Sequence, residues 1–335
     1  MTESSPRFSI IVPVYNRPTE VEELLQSLSS QTDKDFQIII VEDGSTVRCE
    51  DICKKWEKDI DLKYFYKSNE GRSIARNYGM DRADGNFLIF VDSDCILPND
   101  YIAKLKEKLK KDPSDCFGGP DAAHESFSDV QKAINFSMTS FLTTGGIRGK
   151  KKSLEKFTPR TFNMGFSKDV YAKTGGFREM FSEDIDMSTR IKNGGFKISL
   201  YPEVFVYHKR RVDFKKFWHQ VHVFGMSRIT LHQLYPGSLK MVHWLPALFV
   251  IFSLGFIIAS FFNKWFLIPL LVYFVLLLIS ALFTTKNFKI SLLALPASAI
   301  QLYGYGTGFI RAYTWQILFR HGRNINDEIE RRRGK

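Results

Sequence analysis

Hydrophobic positions in the first hundred residues follow two alternating spacings. Four short runs are almost continuously apolar, as in strands buried on both faces, and they occupy residues 8–14, 36–41, 62–66 and 87–91. Between these runs, apolar residues recur three or four positions apart, which predicts helices, as at Val21, Leu24, Leu25 and Leu28. Apolar strands that alternate with helices predict an α/β domain with a Rossmann-like, mostly parallel sheet covered on both faces.

The last third of the chain has a different pattern. Three stretches lack charged side chains and match the roughly 20 residues that a helix needs to cross a bilayer; they lie at residues 243–263, 265–285 and 290–310. The first two predict transmembrane helices. The third contains Pro296, Gln301 and three glycines, so it is a third span, a re-entrant segment or an interfacial one. Two spans agree better with the positive-inside tendency, because the tail after them is basic.

These patterns predict three parts: a domain over residues 1–235, a membrane domain over 241–319 and a basic tail over 320–335. No segment near Met1 resembles a signal peptide, so the first domain is expected in the cytoplasm. Aromatic residues at helical spacing follow Asp213, a predicted N-cap. This helix, at about 213–230, is expected to lie in the membrane interface or to pack in a core.

The formal net charge is +11, and basic residues cluster on both sides of the apolar stretches. No nucleic-acid-binding motif accompanies them, so the clusters indicate membrane lipid as a partner and no nucleic acid. The four cysteines have neither zinc-ligand spacing nor an extracellular context. We therefore expect free thiols in a reducing compartment.

Two acidic segments are candidates for chemistry. Asp92-Ser93-Asp94 follows the fourth apolar run, where an extended strand end would point both carboxylates to the same side. Paired carboxylates at that edge suit a hard divalent cation and a diphosphate. Ser182 is a predicted N-cap, and acids follow it in the first turn of a predicted helix, where the helix dipole favours them in any protein.

Five motifs, in this order, resemble family-2 glycosyltransferases with the GT-A fold over roughly residues 7–230. They are Ile11-Val12-Pro13-Val14-Tyr15-Asn16-Arg17, Glu42-Asp43-Gly44-Ser45, Asn69-Glu70-Gly71 with Ala75-Arg76-Asn77, Asp92-Ser93-Asp94, and Ser182-Glu183-Asp184-Ile185-Asp186. The resemblance implies a GT-A catalytic domain followed by C-terminal transmembrane helices.

The resemblance also implies roles for single residues. Asp184 is expected to be the general base, and Asp94, Asp92 and His208 are expected to bind Mg²⁺ or Mn²⁺. Glu183 and Gly176 are placed on the acceptor side. The residues expected to bind the nucleotide or donor are Pro13, Tyr15, Asn16, Arg17, Asp43, Gly71, Arg76, Asp92, Ser93 and Asn163. Judged by the residues alone, Asp43 also fits a plain turn, Arg76 a surface ion pair and His208 a structural histidine.

The expected function is therefore that of a metal-dependent, inverting glycosyltransferase anchored in the cell membrane by several spans. It would move one sugar from a UDP- or GDP-sugar to a lipid-linked or glycan acceptor. A processive polysaccharide synthase is an alternative, but no Gln-x-x-Arg-Trp element follows Asp184 and the membrane part is small. A non-catalytic nucleotide-sugar-binding scaffold is a second alternative, which the intact acidic residues disfavour.

Overall fold

The structure is a computed structural model that describes residues 7–122, 124–145, 157–209 and 213–319. The chain divides into two compact units. Unit 1 comprises residues 1–122 and 157–208, and unit 2 comprises residues 123–156 and 209–335. This division differs from a single domain over 1–235, since residues 124–145, the described part of the segment 123–156, group with the C-terminal helices. The predicted basic tail, 320–335, lies outside the described residues.

The elements of the first half of the chain are β1 (Phe8–Val14), α1 (Pro18–Ser29), β2 (Phe36–Asp43), α2 (Glu50–Trp56), β3 (Leu62–Lys67), α3 (Arg72–Met80), β4 (Phe87–Phe90), β5 (Cys95–Ile96), α4 (Tyr101–Lys111), β6 (Cys116–Gly118), β7 (Asp121–Ala122), α5 (Asp129–Thr139) and α6 (Phe141–Thr144). Those of the second half are β8 (Met164–Ser167), α7 (Lys168–Thr174), α8 (Glu183–Asn193), β9 (Ile198–Leu200), β10 (Val206–His208), α9 (Phe214–Leu234), α10 (Met241–Ser260), a 3-10 turn (Lys264–Leu267), α11 (Ile268–Thr285), α12 (Phe288–Tyr313) and a π-helical turn (Thr314–Leu318).

Unit 1 contains a seven-stranded sheet with the order β3-β2-β1-β4-β8-β6-β9. Strands β1 to β4 pair in parallel, and β8 is antiparallel to both of its neighbours. Phe8 is level with Phe36 on one side and with Phe87 on the other, so the carboxyl ends of β1, β2 and β4 meet at one edge. The predicted mostly parallel α/β sheet is confirmed.

Alternate side chains of the strands pack into two separate cores, one on each face of the sheet. Ile10 joins the core that includes helix α1, and Ile11 joins the core that includes helix α3. A Cβ on Gly79 of α3 would lie 2.6 Å from Ile11 Cγ2, so only glycine lets this helix approach the sheet so closely. The close contact fixes α3, which carries Arg72 and Arg76, against the sheet.

A second sheet of three short strands, in the order β5-β10-β7, lies beside the carboxyl edge of β4. His208 of β10 pairs with Cys95 of β5 in the antiparallel direction, and Val206 pairs with Asp121 of β7 in parallel. The small sheet therefore brings together residues from three distant parts of the chain.

Unit 2 is helical. Two of its helices, Met241–Ser260 and the segment Lys264–Thr285, are long and apolar enough to cross a membrane by length and composition alone. The third predicted segment forms α12, one continuous helix that passes through Pro296. Cβ atoms on Gly304 and Gly308 would lie 2.5 Å from Val221 Cγ2 and 2.1 Å from the His222 carbonyl oxygen. The glycines thus allow close packing against α9, and the interruption expected of a re-entrant segment is absent from this helix.

The predicted helix at 213–230 is α9. Asp213 caps it as predicted, because its Oδ1 accepts a hydrogen bond from the Lys216 backbone N–H at 2.7 Å. Phe217 and Val221, from the aromatic stripe, are buried in a core shared with α5 and α12. Part of the stripe therefore serves packing inside unit 2.

Candidate active site

The loops after β1 and β2 are joined through Asn16. Its backbone lies in the left-handed region, with φ of 52°. Its Oδ1 accepts hydrogen bonds from the backbone N–H groups of Thr46 and Val47, at 2.8 and 3.0 Å, and its own N–H donates to Ser45 Oγ. Tyr15, the preceding residue, is 52% exposed. Asn16 therefore fixes the loops, and Tyr15 presents an aromatic ring that is free to contact a planar ligand.

Asp43, at the end of β2, orders the loop that leads into α3. Oδ1 accepts hydrogen bonds from Lys67 Nζ at 2.8 Å and from the Glu70 N–H at 3.0 Å, and Oδ2 accepts one from the Gly71 N–H at 2.8 Å. Gly71 precedes α3 with φ of 99°, a conformation that favours glycine. Asp43 and Gly71, both predicted donor-binding residues, thus lie together at the sheet edge.

Asp92 and Asp94 do not sit on an extended strand as the sequence predicted. The Cys95 N–H donates to the Asp92 carbonyl oxygen at 3.1 Å, which closes a turn after β4 and ends the two-residue alternation. The expectation that both carboxylates share one side by strand geometry is wrong. Asp92 Oδ1 contacts Arg76 Nη2 at 2.7 Å, whereas Asp94 contacts Arg17 and His208. Ser93 is buried within the turn.

Asp94 and His208 face each other across the small sheet. His208 Nε2 lies 3.2 Å from Asp94 Oδ1, and the imidazole stacks on Phe162 with ring centroids 4.9 Å apart. Among the described residues, one group of acidic, histidine and cysteine side chains has the spacing of a metal site: Asp94, Cys95 and His208. Burial raises the pKa of the Cys95 thiol well above its usual range, so it stays protonated and is a poor ligand for a hard cation.

Helix α8 begins with three acids, as predicted, and each of them contacts arginine. Glu183 contacts Arg72 and Arg76, and Asp186 contacts Arg178 and Arg190. The side chains of Glu183 and Asp186 are 2% and 0% exposed. The helix-dipole explanation is therefore incomplete, because buried acids require charged partners.

Asp184 is the acid of this turn that reaches solvent, at 17% exposure. Its Oδ2 lies 3.3 Å from Arg160 Nη1, and its Oδ1 accepts a hydrogen bond from the Ile185 N–H at 2.8 Å. Burial acts to raise the pKa of Asp184, but the charges of Arg160 and Arg72 outweigh it and hold the pKa below its ordinary value. Asp184 is thus an ionised carboxylate at neutral pH.

The prediction that Ser182 caps α8 with its side chain is wrong. Ser182 does occupy the N-cap position, but its backbone is left-handed, with φ of 65°, and its hydroxyl makes no capping hydrogen bond to the helix. A capping serine takes an extended backbone, which would aim its hydroxyl at the first turn.

Two further predicted site residues have packing roles. Asn163 is fully buried; its Oδ1 accepts a hydrogen bond from Tyr101 Oη at 2.7 Å, and its Nδ2 donates to the Val204 carbonyl oxygen at 2.8 Å. A Cβ on Gly176 would lie 2.6 Å from Asn77 Oδ1. The Asn163 side chain is therefore committed to the fold, and Gly176 is required for close packing.

Three residues of the site were not predicted: Arg72, Arg160 and Asp121. Arg72 lies one helical turn before Arg76, so the i, i+4 spacing on α3 is a signal that could have found it. Asp121 Oδ2 lies 3.6 Å from His208 Nδ1, on the side of the ring away from Asp94. Neither Asp121 nor Arg160 has a sequence spacing that indicates its partner.

The profile of glycosyl transferase family 2 matches residues 9–175, which include the motifs around Asn16, Asp43, Arg76 and Asp94. The chain belongs to this family. An uncharacterized glycosyltransferase of Rickettsia conorii is 42% identical over 141 residues, which are 42% of this chain and 23% of the relative. A GalNAc(5)-diNAcBac-PP-undecaprenol beta-1,3-glucosyltransferase of Campylobacter jejuni is 33% identical over 116 residues, which are 34% of this chain and 38% of the relative.

The match to each of these family members thus spans less than half of the relative's length. Among solved structures, a mannosyltransferase of Pyrobaculum calidifontis in complex with GDP-Man and Mn²⁺ superposes with a TM-score of 0.62 at 16% identity. The superposition covers 90% of this chain and 88% of the other. At this identity the likeness concerns the fold, and it confirms the predicted GT-A architecture.

Proposed function

We propose that this protein is a metal-dependent, inverting glycosyltransferase that moves one sugar from a UDP- or GDP-sugar to a lipid-linked or glycan acceptor. The observation that carries the proposal is the contact between Asp94 and His208 at the carboxyl edge of the sheet, 3.2 Å apart. Ligands of open α/β sheets bind at this edge. Family membership supports the same reaction class.

Asp94 and His208 would hold Mg²⁺ or Mn²⁺, because a carboxylate oxygen and an imidazole nitrogen are suitable donors for these ions. When bound, such a cation neutralises the charge that develops on a departing diphosphate. Asp121 supports the fit, since a carboxylate behind a metal-binding histidine orients its ring. Asp92 is less suited, because the arginine that pairs with it, Arg76, is buried at 1% exposure, whereas the Arg17 that pairs with Asp94 is 32% exposed.

Asp184 acts as the general base in this proposal. Its carboxylate accepts the proton of the acceptor hydroxyl while that oxygen attacks the anomeric carbon. The bond to the nucleoside diphosphate breaks on the opposite face of the sugar and the leaving group takes the electron pair, so the configuration inverts. The lowered pKa of Asp184 keeps it ionised at neutral pH, so its carboxylate is available to the acceptor hydroxyl.

Donor binding is assigned to residues along the same edge. Tyr15 can stack on the nucleobase, and the loops fixed by Asn16 and Asp43 can supply backbone groups to the base and ribose. Arg17 lies beside Asp94, and Arg72, 57% exposed, is a cation that a diphosphate can reach. Pro13 lies near the end of β1, and Gly71 gives the loop before α3 its left-handed turn. Ser93, buried in the turn after β4, and Asn163, which holds Tyr101 and Val204, support the site from within.

The setting proposed is the cell membrane, with unit 1 on the cytoplasmic side and more than one span. Two apolar helices support it by length and composition. The Campylobacter jejuni relative is named for an acceptor on undecaprenyl diphosphate, which supports a lipid-linked acceptor. The exposed apolar side chains of α10 and α11 suit contact with lipid.

A donor screen tests the proposal. The full chain in detergent or lipid nanodiscs is incubated with a panel of UDP- and GDP-sugars, membrane lipid extract and Mn²⁺ or Mg²⁺, and nucleoside diphosphate release is measured. Release with one donor, abolished by EDTA and accompanied by a product of a single added sugar, is the expected result. A ladder of chain lengths would instead identify a synthase, and no release from any donor would contradict the proposal.

A further inference from the structure

Arg76 contacts two acids that come from different parts of the site. Nη2 lies 2.7 Å from Asp92 Oδ1 at the end of β4, and Nη1 lies 2.9 Å from Glu183 Oε1 at the start of α8. Both contacts use one guanidinium, whose N–H donors form a rigid planar fork. The two carboxylates are therefore held at a fixed separation.

We infer that Arg76 is a positioning residue that links the donor edge of the sheet to the helix that carries Asp184, and thereby fixes the proposed base. The inference deepens the proposed function and rests on it. It replaces the sequence-based expectation that Arg76 binds the donor.

The burial of Arg76 separates these two roles. Its side chain is 1% exposed, and its Cζ lies 5.7 Å from the ring centroid of Phe177. A diphosphate has no open approach to a guanidinium that is buried to this extent and already paired with two carboxylates. Arg72, one turn earlier on α3, donates to the other oxygen of Glu183 at 2.8 Å and remains exposed to solvent.

The position of Asp184 depends on how Glu183 is held. Glu183 directly precedes Asp184, and Ser182 before it adopts a left-handed backbone, which a serine keeps only where its surroundings determine it. Both carboxylate oxygens of Glu183 are occupied by arginines from α3, which is fixed on the sheet. The start of α8 is thus held against α3 and the sheet through Glu183. Asp184 is the next residue, so its position depends on the same contacts.

The test compares Arg76→Lys and Glu183→Gln with Arg190→Lys as a matched control. Arg190 pairs with buried Asp186 in the same helix, so its substitution weakens α8 without touching the link to Asp92. Lysine offers a point charge and cannot span two carboxylates as the planar fork does. For Arg76→Lys and Glu183→Gln we expect kcat to fall about 10–100-fold, as for a base displaced by up to about 1 Å. The Kd for UDP or GDP with Mn²⁺, measured by calorimetry, should stay that of the wild type.

Four outcomes would overturn the inference. A weaker Kd for the nucleotide with unchanged kcat in Arg76→Lys would assign the residue to the donor. An equal loss of kcat in Arg190→Lys, corrected for the folded fraction, would reduce Arg76 to a stabilising contact. If Arg76→Lys does not fold, the kcat and the nucleotide Kd of Glu183→Gln distinguish the same outcomes. Wild-type protein that releases no nucleoside diphosphate from any donor overturns the proposed function and this inference together; active wild type with fully active variants overturns the inference alone.

Discussion

The acids at the strand ends differ from one another in their partners, whereas the acids at the start of α8 differ from one another in their burial. At the strand ends the partner distinguishes them: Asp43 orders a loop, Asp92 pairs with Arg76, and Asp94 faces His208. In α8 all three acids have arginine partners, and burial distinguishes them, because Asp184 reaches solvent and the other two do not.

This difference shows which acids are suited to chemistry and which to structure. An acid held by a buried arginine, as Asp92 is by Arg76, has its charge balanced inside the fold. Asp94 pairs with the partly exposed Arg17 and faces His208. Asp184 pairs with Arg160 and is 17% exposed. Both carboxylates therefore reach the surface, where a ligand can contact them. In the proposed mechanism Asp94 serves the leaving group and Asp184 serves the acceptor.

Among the acids at the strand ends, we expect the largest effect from the substitution Asp94→Asn. Loss of the carboxylate should abolish Mn²⁺ binding and lower kcat/KM by about 10³-fold or more, because metal ions contribute several kcal/mol to transition-state stabilisation. Calorimetry with Mn²⁺ and a donor-turnover assay measure the two effects. Asp61→Asn, at an exposed acid paired with Arg7, is the control and should behave as wild type. Normal Mn²⁺ affinity in Asp94→Asn would remove the metal assignment.

The substitution Asp186→Asn tests whether a buried acid of α8 stabilises the fold without taking part in catalysis. This change leaves Arg178 and Arg190 facing an uncharged, buried side chain, so the free energy of unfolding should fall by about 3–5 kcal/mol. The turnover of the folded fraction should be nearly unchanged. Chemical denaturation and an activity assay per folded molecule check both parts. A large loss of turnover without loss of stability would place Asp186 among the reacting groups.

A smaller effect is expected at Asp121, whose Oδ2 lies 3.6 Å from His208 Nδ1. Asp121→Asn should weaken Mn²⁺ affinity about 10–100-fold, the usual cost of changing the partner of a metal-binding histidine. Thermal unfolding monitors the fold in parallel. Affinity equal to that of the wild type, in a variant with unchanged melting temperature, would show that His208 needs no such support.

The smallest effect concerns the pH dependence of Asp184. Burial alone would raise its pKa, yet Arg160 and Arg72 hold the pKa below 3.8 in the folded chain. Because the pKa of Asp184 is lower in the folded chain than in the unfolded chain, its ionised form stabilises the fold at pH values above the unfolded pKa. This stabilisation is lost as the pH falls through the folded pKa. Arg160→Gln should move the acidic limb of the kcat profile to higher pH. A limb that stays in place would separate Arg160 from the ionisation of Asp184.

Much of unit 1 could be predicted from the sequence because its signals are local. Apolar runs predicted the strands, and the 3.6-residue spacing predicted helices such as α1, with its apolar positions at Val21, Leu24 and Leu28. The motif residues Asn16, Asp43 and Asp94 lie at or just after the ends of β1, β2 and β4, which are the ends of three of the predicted apolar runs.

The remaining features depend on contacts between residues distant in sequence. The role of Arg76 follows from Glu183, which is 107 positions away, and no spacing rule encodes such a pair. The turn at Asp92 was missed because β4 ends at Phe90, so the alternation of side chains along the strand does not extend to Asp92 and Asp94. The glycines of α12 were ambiguous because close helix packing and chain interruption both favour glycine.

The most direct test of the account is a paired measurement on Asp184→Asn: the Kd for the nucleoside diphosphate with Mn²⁺, and the rate of sugar transfer. We expect wild-type nucleotide affinity, together with a fall in kcat of about 10²–10⁴-fold, the range supplied by a general base. Unimpaired transfer, or loss of nucleotide binding in step with transfer, would contradict the assignment of Asp184 to the acceptor and of Asp94 to the leaving group.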